Sequence, residues 1–355
     1  MTEWRKRTLA IACVGLLVSL AAPVGADESA DPEPETRKQN PLRLNRPLDQ
    51  ASDFAPVGVL LDHTHAKGDW TFLFRYSQID KRNLRSGSAP VSVGEASAGC
   101  YQPVPKYCQV PISSSRGIYT MGAMYAPRDR FTFALLLPVV TNHLEQWTST
   151  GPQIDDTSGI GDAKLLFLIP FIQKGAQQTQ FNVGISFPTG SIQQVDDTGQ
   201  RLSYTMQLGS GSWDGIWGVT YTGDHRAISW GGQFEGQYRF ANNSVGYRLG
   251  TVYQASAWVS GGITDWVSVS ARFAWTRQGN IHGVDPTLDK TLTPLNDNML
   301  QGGTTLQVGP GLNILLPFAG GQRLAAELTF PLYESLDGPQ LGSEMTLTAG
   351  WQWLF

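Results

Sequence analysis

The sequence is short of charge, of lysine, of cysteine and of long apolar runs. Charged residues make up 16% of the 355-residue chain, against about 25% in an average soluble protein. The 26 basic residues, only 8 of them lysine, are outnumbered by 30 acidic ones, for a formal net charge of −4. That balance excludes a basic nucleic-acid binder. With 41% hydrophobic residues the chain is also too apolar to stay disordered. Beyond the N-terminus no run approaches 18 apolar residues, and the longest mostly apolar runs, 131–140 and 163–172, are about ten, so no transmembrane helix is expected there. Any membrane crossing must be made by strands.

Glycine and aromatics are plentiful: 39 Gly, 15 Phe, 11 Trp and 11 Tyr. Low charge with high Gly and aromatic content fits an all-β protein, soluble or in an outer membrane. Residues 1–26 read as a secretory signal, with Arg5, Lys6 and Arg7 at the charged start, an apolar stretch from 9 to 22, and small residues at Val24, Gly25 and Ala26. Cleavage would remove Cys13 and leave Cys100 and Cys108, a disulfide candidate in an oxidising compartment, or else two free thiols. Residues 27–68 read as a polar periplasmic arm, disordered over 27–45, whose stretch 46–68 could fold back into a barrel as a plug.

From residue 69 to 355 the pattern has period two. Met345, Leu347, Ala349, Trp351, Trp353 and Phe355 oppose Thr346, Thr348, Gly350 and Gln352, and 227–240, 266–277 and 304–316 alternate the same way. The segments often run to about 10–14 residues, longer than soluble strands and long enough to cross a membrane. Short connections near 126–129, 174–176, 223–226, 261–265 and 317–322 alternate with long ones near 80–114, 142–158, 188–203, 241–246, 279–301 and 333–341. Eleven joints make twelve strands, with short turns and both termini on the periplasmic side. The expectation is a transmembrane antiparallel β-barrel of about 12 strands. The sixth strand, 204–222, contains Gly209-Ser210-Gly211-Ser212, which reads as a bend within one strand or a turn between two. Trp70, Tyr76, Tyr119, Tyr125, Trp213, Tyr221, Trp230 and Tyr238 near strand ends fit two interfacial girdles.

Mid-strand charges on the polar faces mark a wet lumen. Arg75, Arg248, Arg272 and Arg323 with Glu235, Glu327 and Glu344 are the lumen and selectivity candidates. They either form a ladder that orients polar solutes or pair off structurally, and their mixed signs argue against a single-sign selectivity ring. His63 and His65 lie at i and i+2, on one side of an extended segment, next to Asp62. Those three could hold Zn or Cu, or tie the arm to the barrel wall by hydrogen bonds. No other cofactor is indicated. His143, His225 and His282 fall in expected loops and turns, and no nucleophile elbow is evident, so no enzyme is expected.

Several stretches carry a family resemblance: 55–70 into Arg75-Tyr76, Met121-Gly122-Ala123-Met124-Tyr125-Ala126-Pro127, Ser158-Gly159-Ile160-Gly161-Asp162, Phe187-Pro188-Thr189-Gly190, Gln207-Leu208-Gly209, Gly279-Asn280-Ile281, and Leu336-Asp337-Gly338-Pro339-Gln340. Together and in this order they resemble a group of outer-membrane transporters related to the barrel proteins of the meta-cleavage pathway of phenol degradation. The terminal Trp351-Gln352-Trp353-Leu354-Phe355 likewise resembles the C-terminal aromatic signal of bacterial outer-membrane barrels. The resemblance implies a barrel in the bacterial outer membrane, inserted by the barrel assembly machinery through its last strand, surrounded by lipid, and passing small, hydrophobic or aromatic solutes. Relatives are often Met-rich after the first strand, whereas 77–114 here holds no Met and carries the Cys100/Cys108 pair. The leading expectation is a channel, the second a non-transporting surface-binding barrel, and the third a barrel hydrolase.

Overall fold

Alternating apolar and polar residues along an extended chain place one set on each face of a sheet. In this chain the two faces become the outside and the inside of a closed barrel. The computed structural model describes residues 48–98, 107–316 and 320–355. The signal, residues 27–47 of the arm, and Cys100 lie outside the described residues. The strands are β1 (Trp70–Gly87), β2 (Ala89–Pro90), β3 (Gln109–Arg128), β4 (Phe131–Thr148), β5 (Gly151–Ile160), β6 (Lys164–Lys174), β7 (Gln177–Ser186), β8 (Asp214–His225), β9 (Ile228–Arg239), β10 (Tyr247–Arg248), β11 (Val252–Thr264), β12 (Val267–Gln278), β13 (His282–Gly283), β14 (Gly303–Leu316) and β15 (Gln322–Leu354).

Eleven of these form a ring of antiparallel neighbours, β15-β14-β12-β11-β9-β8-β7-β6-β4-β3-β1, with β1 returning to β15. The 33-residue β15 serves twice. Its first half pairs with β14 and its second half with β1, so the chain folds back near 335–342 and the ring has twelve staves, the number expected from the connections. Trp70 and Phe355 exchange backbone hydrogen bonds of 2.8 and 3.0 Å and close the seam.

Within β1, Thr71, Leu73 and Ser77 are buried inside while Trp70 and Phe72 are exposed outside. The same split recurs around the ring, leaving Leu135, Leu137, Phe181, Val183, Trp217, Phe273 and Leu332 exposed on the exterior. In water such a continuous apolar belt would be anomalous. Against lipid it is what a closed barrel must present, because closure leaves no unpaired strand edge in the hydrocarbon. Stacked and tilted ring pairs such as Trp70–Tyr125 (centroids 4.5 Å apart) and Trp353–Phe355 (4.8 Å) lie at the ends carrying the short turns.

Several expected boundaries are corrected. The stretch 142–158 is not a loop, since β4 and β5 continue it as a hairpin from Val139↔Ile160 to Thr148↔Gly151. Likewise β1 runs on to Gly87. Residues 204–213 are not strand: Tyr204–Met206 is a single 3-10 turn and β8 begins at Asp214. Asp162 holds this stretch away from the wall, accepting the backbone N–H groups of Gly190 (3.0 Å) and Ser210 (2.7 Å). The outer loops fold over the mouth, where Leu144, Leu202, Met206 and Leu295 form a buried cluster and Arg201 pairs with Asp285 at 3.0 Å.

Candidate functional site in the barrel lumen

Residues 48–68 fill the lumen at the short-turn end. Gly68, at φ +94, makes the turn that sends this segment inward from β1, a conformation that L side chains rarely adopt. Asp69 supports the turn by accepting from the Ala66 N–H at 3.1 Å. Inside, the segment has few backbone partners of its own, and the polar faces of the strands supply them. Ser229 donates to the carbonyl of Ser52, Ser268 to Ala51 (2.8 Å), Arg75 to Val57 (3.4 Å), Gln233 to Leu60 (2.9 Å) and Gln180 to Leu61 (2.8 Å). Thr132 accepts from the His65 N–H at 3.1 Å. Each bond satisfies a backbone group that would otherwise be buried at a cost of about 1–3 kcal/mol.

The tightest node joins Asp62, His63 and Arg323. Asp62 accepts from the Ala55 N–H (2.9 Å) and lies 2.8 Å from His63 Nδ1. Arg323 reaches in from β15, donates to the Ala55 carbonyl and to Asn313 and Gln352, and lies 4.6 Å over the Phe54 ring. Burial alone would raise the Asp62 pKa. The charge and hydrogen bond of His63, the Arg323 charge and the Ala55 N–H outweigh it and hold the carboxyl well below its usual range. Burial and the His63 charge push His65 down to about 3, against an opposing pull from Asp62, so His65 is neutral in place.

The structure therefore brings Asp62, His63 and His65 together, with the imidazoles 4.9 Å apart. Their polar atoms turn to other work: Asp62 binds His63 and Ala55, and His65 Nε2 lies 3.3 Å from Thr71 Oγ1. Among the described residues no group of three His, Cys, Asp or Glu side chains is placed to hold a metal ion. The geometry is that of a tie between segment and wall.

The charged candidates divide. Arg272 and Glu327 form a buried fork-to-carboxylate pair, with Arg272 Nε 3.0 and 3.1 Å from the two oxygens. Glu327 also accepts from the Gly58 N–H at 3.4 Å. A Cβ at Gly58 would meet the Arg272 guanidinium and the Glu327 carboxylate, so glycine lets the segment pass without displacing the pair. Arg75 and Glu235 face the same interior. Arg248 and Glu344 do not. Arg248 sits in the short β10, paired to β13 outside the ring, and donates to Asn242 at 3.2 Å in an exposed position. Glu344 occupies a register shift between β1 and β15 that turns it to the exterior, where it pairs with Arg82 at 3.2 Å. Both were placed in the lumen by alternation, and a loop and a bulge break that alternation. Cys108 is disulfide-bonded, and Cys100 lies outside the described residues.

One feature of the interior goes beyond the charged and histidine candidates. Leu73, Met124, Ala134, Leu136, Leu166, Leu168 and Ile216 form a buried apolar stripe on the inner wall, packed against Leu60 and Leu61 of the segment. The sequence did carry a signal for it. The apolar runs 131–140 and 163–172 become β4 and β6, whose two faces are both apolar because one meets lipid and the other the lumen stripe.

The fold resembles solved outer-membrane barrels. The COG4313 outer membrane channel from Pseudomonas putida F1 superposes with a TM-score of 0.58 at 15% identity, covering 84% of this chain and 99% of that one. A Pseudomonas aeruginosa FadL homologue gives 0.40 at 9%, over 81% and 90% of the two chains. The P. putida toluene transporter TodX gives 0.41 at 8%, over 82% and 91%. No protein-family model and no curated protein matches the sequence.

Proposed function

We propose that this chain is an outer-membrane channel for small apolar solutes, surrounded by lipid and inserted through its C-terminal strand. The observation that carries the reading is the apolar stripe on the inner wall. A bore for polar solutes gains nothing from Leu136, Leu166, Leu168 and Ile216 facing it. An apolar solute gains roughly 25 cal/mol for each Å² it buries there. The segment 48–68 occupies the same wall through Leu60 and Leu61, so solute and segment compete for one surface, and passage requires the segment to yield. The segment, with Arg75 and the Arg272–Glu327 pair, is the constriction that rejects polar solutes. A likeness in fold to a barrel described as an outer membrane channel agrees with this reading without carrying it.

Liposomes containing the full chain should take up toluene-sized apolar solutes faster than sugars of equal size. Deleting 27–65 should raise the conductance to polar solutes. No uptake from the wild type, and no conductance after the deletion, would favour a non-transporting surface-binding barrel. Lipid or peptide turnover by the purified protein would instead favour a hydrolase.

A further inference from the structure

Lys81 on β1 and Arg116 on β3 face the lumen from adjacent strands. The pairing places Lys81 opposite Ser114 and Ile79 opposite Arg116. The two basic residues are therefore diagonal neighbours on the inner face, with Cα atoms roughly 7–8 Å apart. The side is fixed by their strands: odd positions Thr71, Leu73 and Ser77 of β1 and even positions Thr120 and Met124 of β3 are buried inside. Two like charges so placed repel each other. Among the described residues neither side chain has an ion-pair or hydrogen-bond partner, and the Nε of Arg116 is buried with no acceptor.

The carboxylates whose charge reaches them are Glu334 and Asp162. Both are already engaged. Glu334 pairs with Arg85 at 3.5 Å and accepts from the Ser343 N–H at 2.9 Å. Asp162 is taken up by Gly190 and Ser210. Arg116 is half-buried and Lys81 is open to the lumen, so the pair is accessible and, without a counter-ion of its own, suited to an anion from outside. Asn142 faces Arg116 from β4 and Ser114 faces Lys81, but on one side the wall carries an apolar strip. Ile79 lies directly opposite Arg116, Ile118 is the next inward residue on β3, and its partner Val140 is buried. From Val140 the inward positions of β4 lead through Pro138 to Leu136, the start of the apolar stripe.

We propose that Lys81 and Arg116 bind the head of an amphipathic monoanion, a carboxylate on an apolar body, whose body lies along Ile79, Ile118 and Val140. This rests on the apolar-solute reading and sharpens it to apolar acids. One carboxylate matches the guanidinium fork and ammonium together, and the strip of Ile79, Ile118 and Val140 favours an apolar body over a heavily hydrated polyanion.

The probe is 4-ethylbenzoate, with neutral 4-ethylbenzamide as its control, titrated calorimetrically into the full-length protein in detergent. The benzoate should bind at least about tenfold more tightly than the amide, the scale of a charge-assisted hydrogen bond. K81M/R116M should remove that preference by weakening benzoate binding far more than amide binding, and Lys81→Arg should keep it. Equal binding of the two probes by the wild type, which needs no variant to fold, overturns the proposal, as does undiminished benzoate preference in K81M/R116M. If the liposomes take up toluene but the benzoate shows no preference, the anion site falls and the channel stands. If the benzoate binds with the expected preference but nothing is transported, the channel falls and the site stands.

Discussion

Replacing Arg323 by Met should loosen the lumen segment without opening the barrel. Met keeps most of the side-chain volume and removes the charge and its donors. Three losses fall on the segment. The Ala55 carbonyl loses a charge-assisted hydrogen bond, worth about 1.5–3 kcal/mol. The Phe54 ring loses a cation 4.6 Å from its centre, worth about 0.5–2 kcal/mol. Asp62 loses one of the charges that hold it ionised in a buried site. Gln352 lies within the wall, whereas Asn313, which Arg323 holds, itself donates to the Phe54 carbonyl at 3.4 Å, so its loosening adds to the same effect. Taking the terms as partly redundant gives about 3 kcal/mol, or roughly a hundredfold more of the undocked segment. Hydrogen exchange reads this directly. The amides of Ala55, Val59 and His65, bonded in the docked state to Asp62, Pro56 and Thr132, should exchange roughly a hundredfold faster. Strand amides in β7 and β9 should not change, and Arg323→Lys should fall between. Exchange at those three amides within about threefold of wild type would refute the idea that Arg323 anchors the segment.

Docking should also weaken in acid. His65 is neutral in the docked segment, with its pKa at about 3 against an ordinary 6.5, so an undocked segment binds the extra proton. Stability of docking is complete above pH 6.5 and declines as pH falls from there toward 3. Asp62, held low, adds a loss only below its ordinary 3.8. Exchange or conductance followed downward from neutral pH should therefore show a slope that His65→Asn flattens, and an unchanged slope in that variant would refute the assignment. At the Arg272–Glu327 pair, Glu327→Gln should destabilise the barrel by about 3–5 kcal/mol because it strands a buried guanidinium, whereas R272M/E327M should cost much less. Thermal unfolding in detergent would check this, and equal losses in the two variants would contradict it.

The parts of the fold legible in the sequence were those where lipid and lumen make opposite demands. Trp70, Phe72 and Phe74 against Thr71, Arg75 and Ser77 could only be a strand with one apolar face, and the alternation of short and long joints gave the count. Legibility failed where that contrast disappears. In the β4–β5 hairpin beyond the membrane both faces are wet, with His143 and Asp156 paired outside and Asn142 and Thr157 paired inside, so a strand looks like a loop. On β4 and β6 both faces are apolar, so no alternation in 131–140 or 163–172 separates the inner stripe from the lipid face. Arg248 and Glu344 failed for a third reason, a local break in register. Asp62, His63 and His65 were legible as a cluster, but which atoms they bind depends on Ala55 and Thr71, which sequence spacing does not connect to them.

The segment's partners stand on β1, β4, β7, β9, β12, β14 and β15, most of the circumference. No arc of an open sheet holds Gln180, Ser268 and Arg323 at the separations the segment needs. Docking thus becomes complete only when Trp70 has met Phe355 and the ring is shut. A reporter placed in residues 48–66 would distinguish a barrel that has merely acquired its strands from one whose seam has closed, which makes the segment a gauge of assembly.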